Sequence, residues 1–350
     1  MALNTWDGAV DTNWFNAANW DTTGATDRVP TDADMVVIPD VTNQPTLGTS
    51  GDTILSLYVA SGATIDSAGG SEIVIKGNAD GTGVTTSGTS IEMVGGFGGT
   101  SVSFNIQVPS ATNVDLSPDA GTGPTNVTIN HSSCAVTMTV GMIVTGNLTI
   151  TEGSLSTGSN QALTVNGDAS VTGTLTGNAS AISLGSLTIA DGGTYNATSG
   201  TTTLTANSGT SGSAIYRHSG GTFTHSNGKI LLNSGSTQYI RSTGATVAVA
   251  FYDLELTGSA IKQIRDCDIT VANDLTVGTG ATLSNEGSAN TITVTVDVDV
   301  TGTLDTSVGG DHTFGSLTIN SGGTYNATSG TTTITSHSSN WVLNNSGTFT

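Results

Sequence analysis

Positive charge is what this 350-residue chain has least of: 7 Lys and Arg stand against 27 Asp and Glu, a formal charge of -20. A partner held through its phosphates would meet a repulsive field. No Lys or Arg lies between Lys76 and Arg217 and none follows Arg265, so the broad basic surface that nucleic acid or an anionic membrane needs is missing. Charge of either sign is scarce, at 10% of residues against roughly 25% in ordinary globular domains. The surface must therefore be paved mainly with Thr, Ser, Asn and Gly.

Other shortages narrow the choice further. Two cysteines, Cys134 and Cys267, are too few to staple a small secreted scaffold and read as buried small hydrophobes. Six prolines beside 47 glycines, with no three-residue period, exclude collagen and Pro-rich linkers and mark many tight turns. No run approaches the ~18 apolar residues of a membrane span, and MALNTWDGAV carries neither a basic leader nor an apolar core. Export through an ordinary signal peptide is not expected. Aromatics are only 5%.

What the chain does have is repetition. Residues 185–205 read GSLTIADGGTYNATSGTTTLT and residues 315–335 read GSLTINSGGTYNATSGTTTIT, identical at 18 of 21 positions. ASVTGTL at 169–175 meets VDVTGTL at 298–304, and GGTFT at 220–224 meets SGTFT at 346–350. A super-repeat beginning near residue 142 is the mark of stacked, quasi-one-dimensional architecture. Small drifts in its offset are turn-length changes, which loop closure tolerates.

Short apolar-alternating runs recur between GN, DGG, TSG and NGD turns, the all-β pattern, and no helical period survives. Alternation places Cys134, Val136, Met138, Val140, Met142 and Val144 on one face of a strand, opposite Thr137 and Thr139. By the same rule Ile292, Val294, Val296, Val298 and Val300 face inward, and Thr293, Thr295, Asp297 and Asp299 outward. Short, even turns favour a right-handed parallel β-solenoid (β-helix) over an array of β-sandwich domains, which need long Greek-key crossings. Coils of ~22 residues would number about 16.

Four segments follow: a Trp-rich N-terminal module over 1–50, an irregular strand-rich stretch over 51–141, a first super-repeat over 142–267, and a second, incomplete one over 268–350. Trp6, Trp14 and Trp20 crowd the first segment, with Pro30, Pro39 and Pro45. A solenoid's first coil has an open edge that must be covered, and bulky Trp residues on a Pro-punctuated segment suit a cap or anchor. At the other end Thr350 falls in the middle of a unit whose first copy continues as HSNGKILLNSG at 225–235. This leaves an edge for further chain or another subunit.

The segment WDGAVDTNWFNAANWDTTGATDRVPTDADMVVIPDVTNQPTL resembles the opening module of long β-strand-repeat surface proteins. The resemblance is carried by Trp14, Asn19, Trp20, Val29, Pro30, Asp34, Ile38, Pro39, Gly62, Ala63 and Ile65. FYDLEL at 251–256, NDLTV at 273–277 and SGTFT look like the repeat body of the same group. It implies a bacterial adhesin or a fibre or decoration protein of a phage virion, and the missing leader points to the virion surface. Other assembly subunits, further copies of the chain and a glycan receptor are the partners it implies.

Few residues invite chemistry. Asp297 and Asp299, at i and i+2 of one strand face, would sit about 7 Å apart, within the carboxylate spacing of inverting glycosidases. A polysaccharide depolymerase is therefore a third reading, but the aligned earlier residues are Asp168 and Ser170, so the pair is not built into the repeat. Asn78 and Asp80 of GNADGTG could offer calcium turn oxygens, yet acidic residues are sparse there and a plain Asx turn suffices. His131, His218, His225, His312 and His337 are scattered; His218 and His225 could meet across a hairpin. Asn126, Asn147, Asn196 and Asn326 open glycosylation triplets that a Thr- and Asn-rich chain produces by chance. Tyr195 and Tyr325 hold equivalent repeat positions, as core residues or as an exposed row for sugars. No cofactor or metal is called for, and the expectation is a non-enzymatic structural protein.

Overall fold

The computed structural model describes residues 2–77, 89–97, 101–116, 123–243, 248–285, 290–335 and 343–350. Strand makes up 51% of the protein, in about 13 coils of a parallel β-solenoid, and no α-helix occurs among the described residues. The parallel ladders exclude sandwich domains, whose sheets are antiparallel. Coils are fewer than the expected 16 because their lengths vary: Leu175 is the rung partner of Leu155, whereas Leu57 waits until Ile91 for its own. The fold divides into two compact units, residues 1–166 with 173–176, and 167–172 with 177–350.

In the first unit the strand Ala2–Trp6 pairs in parallel with Asp34–Ile38, which pairs in turn with Ser56–Val59. Ala2–Trp6 also has an antiparallel neighbour, Trp20–Thr22, which is the edge strand of that sheet. On a second face Ile54, Ile75, Ile106, Ile129 and Ile150 occupy one register position in five successive rungs. All five are fully buried. β-branched side chains at in-register inward positions fill the coil with few rotamers to lose, and each is worth about 1.5–3 kcal/mol of apolar burial.

The second unit carries three ladders. One runs from 182–184 through Thr201–Leu204, Lys229–Asn233, Asp253–Thr257, Leu275–Val277, 298–300 and 317–319 to Leu343–Asn345. Its interior column is Leu204, Leu232, Leu256, Val277, Val300 and Ile319. A second ladder runs from 187–189 through Ile215–Arg217, Gln238–Ser242, Ile261–Arg265, Thr282–Asn285, Thr303–Asp305 and Thr324–Asn326 to Thr348–Phe349. The third holds Thr194–Asn196 and Thr222–Thr224, then Val249–Phe251, Ile269–Val271, 292–294, 312–314 and Thr332–Ile334. Its two parts meet through the Phe223–Phe251 ring contact at 5.7 Å.

The duplicated sentence does not return to the same face. Thr201–Leu204 lies in the first ladder, but its copy, Thr332–Ile334, lies in the third. Likewise Thr194–Asn196 belongs to the third ladder and Thr324–Asn326 to the second. Each copied strand lies one face back in the order in which the chain visits the ladders, because the strand steps between the copies, with a bent strand on two ladders counted twice, fall one short of a multiple of three. What the repeat preserves is the local coil: 182–184 pairs with 202–204 as 312–314 pairs with 332–334.

Both long alternating runs turn out to be bent. Ala135–Met138 and Met142–Val144 are separate strands, and Val140 at the corner between them is only half-buried. In Ile292–Val300 the register shifts between Val294 and Asp297, so Val296 leaves the interior face on which alternation placed it. The physical reason is that inward means toward the coil axis on every face. A strand that rounds a corner must skip residues to keep pointing there.

Candidate functional site

The N-terminal module is built around its three tryptophans, all fully buried. Trp20 packs edge-on against Trp6 at 5.0 Å and against Trp14 at 4.7 Å. Every indole N–H has an acceptor: Trp6 donates to the Asn43 carbonyl at 2.6 Å, Trp14 to the Asp52 carboxylate at 2.5 Å, and Trp20 to the Trp14 carbonyl at 2.7 Å. Burial raises the Asp52 carboxyl above its usual range against the Trp14 and Thr53 hydrogen bonds. In the same module the buried Asp34 carboxylate takes both arms of the Arg28 guanidinium, and Thr31 donates its N–H at 2.9 Å and its hydroxyl at 2.8 Å. Burial would raise Asp34, but Arg28 and Thr31 outweigh it and hold the carboxyl at about 2.

The carboxylates that suggested hydrolysis are engaged within the ladder. Asp297 accepts from the Ser316 hydroxyl one rung on, and Asp299 from the Asn320 amide. Asp168, the repeat counterpart of Asp297, accepts likewise from Ser186, the counterpart of Ser316, and also from Ser208 at 2.6 Å. An Asp–Ser bond between rungs is thus a structural part that the duplication copied. A shallow depression nearby is lined by Lys229, Asp253, Leu254, Glu255, Asp274 and Thr276. Inside it Lys229 and Glu255 form an ion pair at 2.6 Å, and Asp253 accepts from the Asn273 amide at 2.8 Å. Among the described residues no group of three or more His, Cys, Asp or Glu is placed to hold a metal.

Tyr195 and Tyr325 are both fully buried, and neither offers its ring to a sugar. Lying in different ladders, they do not stack on each other. Tyr195 stacks on Phe223 at 5.8 Å and bonds Thr202 at 2.7 Å; Tyr325 meets Phe349 edge-on at 5.2 Å and bonds Thr332 at 2.7 Å. His218 and His225 do not share a hairpin, because the chain between them turns onto the next face as the strand Thr222–Thr224. His218 packs on Tyr216 and His225 on Tyr252. His312 is buried, its Nδ1 accepting the Ile292 N–H at 3.0 Å, and burial lowers its pKa. Cys134 and Cys267 are free thiols in the core, pushed by burial up to about 11 and about 12. Asn126 and Asn326 use their side chains on the neighbouring rung, accepting from the Asn147 N–H and the Thr350 hydroxyl, both at 2.8 Å. Asn78, Asp80 and His337 lie outside the described residues.

Reading motifs left one arrangement unseen. Five of the seven Lys and Arg fall between residues 217 and 265, and the fold sets Arg241 and Arg265 side by side on adjacent rungs. The crowding of scarce cations into one stretch was the signal. The protein defined by this fold is a parallel β-solenoid with a buried cluster of three tryptophans in its N-terminal segment. The model of a domain of unknown function, DUF8693, matches residues 5–91, a span that holds the Trp cluster and the Arg28–Asp34 pair. No curated protein and no solved structure matches the chain.

Proposed function

We propose that this chain is a non-enzymatic structural and interaction protein, a β-solenoid subunit of a phage virion acting as fibre or capsid decoration. The observation that carries this reading is the engagement of its candidate catalytic carboxylates: Asp297 and Asp299 bond the next rung, and Asp297 does so in the same way as Asp168. Side chains tied into a ladder hold a scaffold rigid; they are not poised for proton transfer to a substrate. The resemblance of the opening 50 residues to virion and surface repeat proteins supports the same reading. Its partners are other subunits of the assembly and further copies of the chain, with a glycan on the receptor side.

Mass spectrometry of purified virions of the phage that encodes the chain tests this directly. The expected result is a stoichiometric copy number. Absence from the particle, or shortening of polysaccharide chains by the purified protein, would overturn it.

A further inference from the structure

We propose that His312 is an acid-sensitive joint in the second unit: protonation of its buried ring breaks the hydrogen bond that holds the rung at Ile292 and loosens the coil there.

The third ladder follows a regular bonding rule. The leading N–H of a strand meets the carbonyl just ahead of its rung partner on the next coil: Val249 bonds Asp268 at 2.9 Å, Ile269 bonds Thr291 at 3.0 Å, and His312 bonds Thr331 at 2.8 Å. Ile292 departs from that rule. Its N–H goes to Nδ1 of the His312 imidazole at 3.0 Å, so a side chain stands in for a backbone carbonyl inside the ladder. A neutral ring that accepts at Nδ1 carries its proton on Nε2. Protonation would place a second N–H on Nδ1, facing the Ile292 N–H, and leave two buried donors opposed without an acceptor.

The duplication supplies an internal comparison. Three residues ahead of the copied segments His312 takes the place of Ile182, and 312–314 pairs with 332–334 as 182–184 pairs with 202–204. Both side chains are buried. The first copy therefore builds this rung with an apolar residue, whereas the second uses a group whose charge changes near neutral pH. The other described histidines, His131, His218 and His225, are only half-buried.

Little around His312 would steady a charged ring. Phe314 stacks beside it at 6.3 Å, and the strands on either side, 292–294 and Thr332–Ile334, carry no titratable residue. Tyr325, which packs on Phe314, is tied to Thr332. Asp311 and Asp268 are engaged by the Thr331 and Thr291 N–H groups, at 2.8 and 2.6 Å. Burial lowers the His312 pKa and outweighs Asp311 and the Gly309 carbonyl, which favour the charged form. The unfolded chain thus takes the proton first as pH falls. Stability is complete above the ordinary histidine value of about 6.5 and is lost as pH drops through it toward the lower folded value.

Thermal melts of the full chain at about pH 7.5, 6.5 and 5.5, above the range in which most carboxylates titrate, test the proposal. His312→Gln keeps an acceptor for the Ile292 N–H but cannot take a proton. Relative to it, the parent should lose a few degrees of melting temperature between the highest and lowest pH. His312→Ile, with the residue of the first copy, should melt below His312→Gln throughout, because the Ile292 N–H loses its acceptor, and should follow the same pH profile as that variant. Parent and His312→Gln curves that run parallel would overturn the proposal. NMR of the parent with isotope-labelled histidine reads the rings directly and decides the matter even where a variant does not fold. One histidine is expected as the Nε2–H tautomer, taking its proton only below the free-histidine range. A full set of histidines that titrate as the free amino acid while the chain stays folded would equally overturn it.

Discussion

Lys262 carries an ammonium group into the interior of the second unit, fully shielded from solvent, with its Nζ donating to the Ser234 carbonyl at 2.8 Å. Burial lowers its pKa. The unfolded chain therefore binds a proton more readily than the folded one between the folded pKa and the ordinary lysine value, and stability rises with pH across that window. Lys262→Met, similar in length and apolar, should stabilise the protein by about 1 kcal/mol at neutral pH, with the gain shrinking toward pH ~10. Urea denaturation of both proteins at the two pH values measures this, and a less stable variant at neutral pH would contradict it. Nothing in the sequence marked Lys262 as buried. Its position between Ile261 and Gln263 fits the alternation of a strand, but the parity of that strand was set by Ile264 pointing to the core.

At the scale of the element, corners decide what a copied sequence can do. At Gly315 the Ile292–Val300 strand bulges past its partner, and a Cβ there would lie 2.2 Å from the Val296 carbonyl oxygen and 2.3 Å from that of Thr295. Both are backbone atoms of a bulge held between two paired stretches, so neither gives way cheaply. Gly192, in the DGG turn, has a positive φ of 80°, but a Cβ added there would meet nothing within 4 Å. Gly315→Ala should thus cost about 2 kcal/mol or more, and Gly192→Ala about 1 kcal/mol of backbone strain. Thermal melts of the two variants, compared with the parent, check the order. The strands themselves were legible: Val, Ile and Thr alternate because one face of each is buried. Val140 and Val296 were misplaced because alternation does not announce where a coil turns its corner.

For the molecule as a whole, 27 acidic against 7 basic residues predicts a protein whose folded state is strained by its own charge. Raising salt from about 20 mM to about 500 mM screens that repulsion, and the melting temperature should climb by a few degrees. A fall would mean that the three ion pairs among the described residues, Arg28–Asp34, Lys229–Glu255 and Arg241–Asp266, outweigh the net charge. Composition, turn spacing and the repeated segment by themselves determined an all-β, coiled, acidic protein, since period-two alternation and Gly-punctuated turns are local properties of the chain. Only the tertiary structure decided that the second copy lies one face round from the first, that Asp297 and Asp299 bond neighbouring rungs, and that Arg241 and Arg265 stand together. Those outcomes depend on how many residues each coil takes, a length that turn insertions change freely and that no local pattern records.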